Sequence, residues 1–121
     1  GKAVITSGGR LKAQYVIHTV GPIWRGGNHE EHKLLSEAYW NSLELAMSRS
    51  LKTIAFPSIS TGAYGYPVEK ASQVALQTVK SFLEKKDGLE EVRFVLFRKS
   101  DLKTYEEAIG EMRSRRNSTY V

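Results

Sequence analysis

The feature that most restricts the fold of this chain is one helical-period run, Val68, Ala71, Ala75, Leu76, Val79, Phe82 and Leu83, with Pro67 ahead of it and Asp87-Gly88 behind. These positions share one face of a helix; proline suits the first turn and glycine stops the last. Thr53-Ile54-Ala55-Phe56 precedes the run and is closed by Pro57, and Glu91 to Phe97 follows it. A short apolar segment of the first kind suits a strand covered on both faces. Strand, amphipathic helix and strand in that order call for a crossover between parallel strands, which takes the right-handed sense.

The flanking segments extend the pattern. Ala3 to Thr6, the turn Ser7-Gly8-Gly9-Arg10 and Gln14 to Val20 read as a hairpin-like strand pair ending at Gly21-Pro22. After the loop Ile23 to Gly27, a helix is expected from about Glu30 to Arg49, with Leu35, Ala38, Tyr39, Leu45 and Ala46 on one face. Ser100 or Asp101 can cap a last helix that buries Leu102, Tyr105, Ile109 and Met112. The most economical architecture is an α/β sheet layered between helices, in one domain over residues 1–113 with a basic polar tail over 114–121.

A chain of 121 residues, 40% of them hydrophobic, can bury about two-thirds of its unfolded surface in one core. It has no cysteine, which excludes a disulfide framework, a thiolate metal site and cysteine catalysis, and fits a reducing compartment. Its apolar stretches fall far short of the ~20 residues of a membrane span. The opening Gly1-Lys2-Ala3-Val4-Ile5 lacks the long apolar region of a secretory leader, so the cytoplasm is the expected location. The formal charge of +5 favours anionic partners. Arg113, Arg115 and Arg116 form no run of the ~5–6 like charges that marks a nucleic-acid arm, so a solvated tail fits better than nucleic-acid binding.

Other side chains suggest no separate chemistry. His29 and His32 can share a helix face but lack a third ligand, so no metal is expected, and His18 reads as a hydrogen-bonded structural residue. Glu30, Glu31 and Glu37 read as solvated helix charges, and Trp24 and Trp40 as packing residues.

The segment Pro57-Ser58-Ile59-Ser60-Thr61-Gly62-Ala63-Tyr64-Gly65-Tyr66-Pro67 lies at the carboxyl end of an expected strand and before an expected helix, where open α/β sheets bind ligands. Its glycines allow close backbone approach, Ser60 and Thr61 add hydroxyls, and a helix N-terminus follows, all of which suit a phosphate or diphosphate. A tight connection without a ligand explains the glycines equally well. The Gly-Lys-Ser/Thr ending of a Walker sequence, the G-x-G-x-x-G spacing and the G-x-S-x-G elbow are all absent.

Taken in order, Gly1-Lys2-Ala3-Val4-Ile5-Thr6, Tyr15-Val16-Ile17-His18-Thr19-Val20-Gly21-Pro22 and Phe56 to Pro67 resemble successive segments of the macro domain family. The similarity continues through Val92 to Phe97 and the following helix, to about Met112. It implies a three-layer α/β/α mixed sheet with an ADP-ribose cleft at the sheet's carboxyl edge. Ser60, Thr61, Gly62, Ala63, Tyr64 and Gly65 would wrap the diphosphate and distal ribose, mainly through backbone N–H groups, and Tyr64 would flank that ribose. Phe97 matches a position that packs against adenine; its alternative is a core phenylalanine. Gly21 and Pro22 would shape a neighbouring loop.

The resemblance corresponds to the C-terminal part of such a domain. The family's acidic residue for the adenine amino group, its Asn-Ala-Ala-Asn segment and its first, Gly-Gly-Gly phosphate loop have no counterpart here. The expected partner set is therefore ADP-ribose or an ADP-ribosylated macromolecule, together with the missing half of the domain, from a longer protein or another chain. No membrane partner, cofactor or catalytic residue is implied, and hydrolysis of ADP-ribose derivatives would depend on the missing segments.

Overall fold

Residues 1–120 are described by the computed structural model, with side chains described through Arg113. The expected hairpin is formed by β1 (Ala3–Ser7) and β2 (Tyr15–Thr19), antiparallel with Ile5 opposite Ile17. Gly9 takes a φ of 55° in the turn between them, a left-handed conformation that a glycine adopts without strain. Thr6 Oγ1 and His18 Nε2 lie 2.9 Å apart across the pair, so His18 is the hydrogen-bonded residue its strand position suggested.

The crossover is also present. β3 (Thr53–Phe56) and β4 (Glu91–Phe94) pair in parallel on either side of α2 (Val68–Lys85). The strand expected through Phe97 pairs only to Phe94, and the Val95 N–H donates to the Phe56 carbonyl before the chain leaves the sheet. α1 (Glu31–Ser48) precedes β3 and α3 (Lys99–Tyr120) follows β4. The side chains of the expected tail, residues 114–121, lie outside the described residues.

Helix faces follow the sequence period with small shifts. On α1 the buried side chains are Glu31, Leu35, Ala38, Tyr39, Ser42, Leu43 and Ala46; Leu43 takes the central place expected of Leu45, and Ser42 satisfies its hydroxyl on the Ala38 carbonyl at 2.7 Å. α2 buries Ala71, Ala75, Leu76, Val79 and Phe82, whereas Leu83 is exposed. On α3, Tyr105 and Ala108 are buried and Ile109 and Met112 pack at the core's margin, while Leu102, in the first turn, stays exposed.

Aromatic contacts join the layers. The Tyr39 ring meets Phe56 edge-on at 4.9 Å, Phe56 stacks on Phe94 at 5.9 Å, and Phe94 lies 5.2 Å from Tyr105. Trp40 meets Phe82 edge-on at 4.9 Å and Ser36 shares a 2.8 Å hydrogen bond with Thr78, tying α1 to α2. Fully burying a ring such as Phe82 contributes about 1.5–3 kcal/mol. α1 and α3 thus cover the face of the β3–β4 pair that carries Phe56 and Phe94. Thr53, Ala55, Glu91 and Arg93, on its other face, are exposed. β3 is therefore covered on one face in this chain, not on both as its apolar composition suggested.

The strands form two separate two-stranded sheets, β1-β2 and β3-β4. The architecture is α/β with both antiparallel and parallel pairing, the class expected from the alternating elements.

Candidate functional site

The loop from β3 to α2 is fixed at its root by two tyrosines from different helices. The fully buried Tyr39 hydroxyl donates to the Pro57 carbonyl at 3.3 Å and accepts the Ile59 N–H at 3.0 Å. The Tyr105 hydroxyl lies 2.8 Å from Ser58 Oγ. Burial raises the pKa of both phenols, the Tyr39 value well above the ordinary range, so both stay protonated as the hydrogen bonds require.

Beyond this root the loop sorts its polar groups. Four of its carbonyls are engaged: Ser58 accepts from Thr61 Oγ1 at 3.0 Å, Ser60 from the Tyr66 N–H at 2.9 Å, Gly62 from the Gly65 N–H at 3.0 Å, and Tyr64 from the Trp24 N–H at 2.9 Å. The N–H groups of Ser60, Thr61, Gly62, Ala63 and Tyr64 donate to no group among the described residues. Consecutive N–H groups left without an acceptor are a backbone arrangement that suits an anion. Ser60 reaches this arrangement at a φ of 68°, a left-handed conformation uncommon for serine, and its Oγ is buried without a partner.

The two candidate glycines differ. Gly65 has a φ of 71°, which explains it by backbone conformation alone. Gly62 has an ordinary φ, and a Cβ there would meet nothing within 4 Å. The fold itself therefore does not require glycine at 62; a side chain would instead stand in the open space beside the free N–H groups. At Gly21 a Cβ would collide with Ser60 Oγ and Ile59 Cγ2, so the Gly21-Pro22 turn is pressed against this loop, in keeping with its expected shaping role.

A second loop, Ile23 to Glu30, forms the adjoining wall. Trp24 packs on Tyr66 at 4.7 Å, with Lys70 Nζ 5.5 Å from its ring, which is the packing role expected of Trp24. Tyr64, Pro22, Ile23, Arg25, His29 and Glu31 are among the residues lining a cleft of about 370 Å³ between the two loops.

Glu31 corrects the sequence reading. It is 1% exposed rather than a solvated helix charge, and its carboxylate accepts the N–H groups of Arg25 at 3.0 Å, Gly27 at 2.8 Å and His29. Burial acts to raise its pKa, but these donors outweigh that and hold it at about 2. One available signal was an acid in a helix's first turn directly after a glycine-rich loop, where free N–H groups and the helix dipole favour a carboxylate.

Ser60 and Thr61 are half-buried, and Gly62, Ala63, Tyr64 and Gly65 are exposed on the same loop. Phe97 does not belong to the core: it is 91% exposed, beyond the end of β4, and does not line the cleft between the two loops. The larger cleft lies elsewhere, between β2 and β3.

Comparison with known proteins places this geometry in context. The Macro domain family model matches residues 1–75. A macro domain-containing protein of Caldanaerobacter subterraneus subsp. tengcongensis is 58% identical over 112 residues, covering 93% of this chain and 63% of that protein. An O-acetyl-ADP-ribose deacetylase of Citrobacter rodentium is 48% identical over 111 residues, covering 92% of this chain and 63% of that protein. Among solved structures, the Oceanobacillus iheyensis macrodomain with ADP superposes with a TM-score of 0.90 at 42% identity, covering 94% of this chain and 60% of that one. The Trypanosoma brucei macrodomain in complex with ADP-ribose gives a TM-score of 0.81 at 37% identity, covering 88% and 44%. The chain therefore spans less than two-thirds of the length of these relatives.

Proposed function

This chain belongs to the macro domain family, and we propose that it binds ADP-ribose, or ADP-ribosyl groups carried by a macromolecule, on the loop Ser58–Pro67. The observation that carries this reading is the run of N–H groups from Ser60 to Tyr64 that donate to no group among the described residues. Such donors suit the diphosphate, whose charge strengthens each hydrogen bond. Tyr64, 39% exposed at the rim, flanks the distal ribose. Phe97 stacks on the adenine, and its exposure leaves the ring free to do so.

In this reading the chain corresponds to the C-terminal part of the domain, with residues 1–113 as its body and 114–121 as a basic tail. Its partners are the ligand and the rest of the domain. The cytoplasm is its location, a placement supported by the absence of cysteine. No helix among the described residues is long and apolar enough to cross a membrane.

Calorimetric titration with ADP-ribose, with ADP and AMP as comparisons, tests the site. Saturable binding that weakens from ADP-ribose to AMP is expected. Equal affinity for all three, or a steep loss of affinity with salt for each, would refute a diphosphate site and favour diffuse charge attraction.

The relatives named O-acetyl-ADP-ribose deacetylase favour a second reading, ester hydrolysis by the complete domain. Here the loop holds the diphosphate, and the group that directs water lies outside the residues assigned to this site. Release of acetate from O-acetyl-ADP-ribose by the complete domain, but not by this chain, is the result that separates hydrolysis from binding alone.

A further inference from the structure

One short segment, Gly21 to Trp24, meets the run of N–H groups from Ser60 to Tyr64 at both of its ends. At the Tyr64 end the tie is a hydrogen bond: the Trp24 N–H donates to the Tyr64 carbonyl at 2.9 Å, backed by the Trp24 ring packed on Tyr66. At the Ser60 end the tie is a close contact. Gly21 follows β2 with an ordinary φ, so its backbone would accept any residue, yet a Cβ there would collide with Ser60 Oγ and lie 2.5 Å from Ile59 Cγ2. Glycine stands at 21 for closeness, not for conformation.

The groups that Gly21 presses against are themselves held. The Ile59 N–H is bound by the Tyr39 hydroxyl at 3.0 Å, and its β-branched side chain, stiff at χ1, packs against the core. The Ser60 carbonyl accepts the Tyr66 N–H at 2.9 Å. Between these ties Ser60 keeps its φ of 68°, a conformation that persists in a serine only where the surroundings over-determine it. Its buried Oγ has no hydrogen-bond partner among the described residues, so contact rather than bonding holds this side chain. The pressing segment is anchored in turn, because the next N–H groups along it, of Arg25 and Gly27, end on the buried Glu31 carboxylate.

We propose that Gly21–Trp24 is a brace that fixes the two ends of the N–H run and thereby sets its preference for a diphosphate over a single phosphate, with Gly21 the positioning residue at the Ser60 end. The inference rests on the reading of Ser58–Pro67 as the diphosphate loop. A single phosphate engages only neighbouring donors and tolerates movement at the far end of the run. Two linked phosphates draw on both ends at once, and a loop ordered before they arrive spares them the cost of ordering it.

Calorimetric titration of this chain and of Gly21→Ala with ADP-ribose, ADP and AMP, with amide exchange and a melting curve on the same samples, tests the brace. The added methyl should drive the segment off Ser60 and Ile59, so that exchange at the Trp24 and Tyr66 amides speeds at least ~10-fold. Affinity for ADP-ribose and ADP should fall ~10-fold while affinity for AMP moves less than ~2-fold. If Gly21→Ala does not fold, Trp24→Pro set against Trp24→Ala tests the opposite end: both lose the ring, only the proline loses the N–H to Tyr64, and the additional loss should fall on ADP more than on AMP. A folded Gly21→Ala with unchanged exchange at both amides, or an equal change in affinity for ADP and AMP, would overturn the brace alone and leave the ligand site standing. A parent chain that binds none of the three ligands would refute the diphosphate reading and the preference with it, even where exchange at Trp24 and Tyr66 confirms the hold of Gly21 on the loop.

Discussion

The loop Ser58–Pro67 and the facing edges of β2 and β3 both leave backbone N–H groups unpaired among the described residues, yet they differ in the carbonyls beside them. In the loop the carbonyls of Ser58, Ser60, Gly62 and Tyr64 are engaged, while the N–H groups from Ser60 to Tyr64 donate to no group among the described residues. Along the strand edges each free N–H is accompanied by a free C=O. Donors alone favour an anion; alternating donors and acceptors favour another strand. The share of carbonyls already engaged therefore distinguishes the loop from the strand edges.

Gly62→Val should have the largest effect on this distinction. Its Cβ meets nothing within 4 Å among the described residues, so thermal stability should change little, while ADP-ribose affinity falls on the order of 100-fold as two or more charge-assisted hydrogen bonds are lost. Calorimetry and a melting curve on the same sample decide it; unchanged affinity would remove the loop from the ligand site.

Tyr39→Phe probes how far the loop depends on its root. It leaves the Pro57 carbonyl and the Ile59 N–H without their partner in a buried setting, at a cost of about 1–3 kcal/mol read by denaturant unfolding. ADP-ribose affinity should fall with it, but less than for Gly62→Val, and exchange at the strand edges should not change.

Phe97→Ala sharpens the comparison from the ligand's side. A ring 91% exposed contributes little to folding, so the melting temperature should hold. Affinity for adenosine ligands should drop about 5–10-fold, and affinity for ribose 5-phosphate should not move. An equal loss for both ligands would place Phe97 outside an adenine contact.

Acid titration should give the smallest effect. The Glu31 pKa is depressed from 4.5 to about 2, so its stabilising contribution is fully present above pH 4.5 and is lost as the pH falls toward 2. Glu31→Gln should flatten the fall in melting temperature across that window and speed amide exchange at Arg25, Gly27 and His29 at neutral pH. An unchanged acid slope would show that the carboxylate does not organise the loop.

Much of this was legible in the sequence because it depends on local period. The α2 face from Ala71 to Phe82, the turn at Gly8-Gly9 and the strand beginning at Glu91 all follow from spacing and turn chemistry. The loop as a unit was also legible, from its place between a strand and a helix. Glu31 was not, because its partners are N–H groups of a loop whose path no residue pattern specifies. The exposure of Leu102 and the burial of Leu43 in place of Leu45 likewise depend on how helices rotate against one another.

The sequence by itself determined which segments are helix and strand, that a crossover joins the parallel pair, and which loop carries the glycines. Only the tertiary structure decided that four of the loop's carbonyls are engaged while the N–H groups from Ser60 to Tyr64 are not, that two tyrosines from separate helices fix its root, and that β2 and β3 line one cleft. Spacing along a chain encodes what one element can bury, whereas the pairing of a backbone group depends on which distant segment is brought beside it.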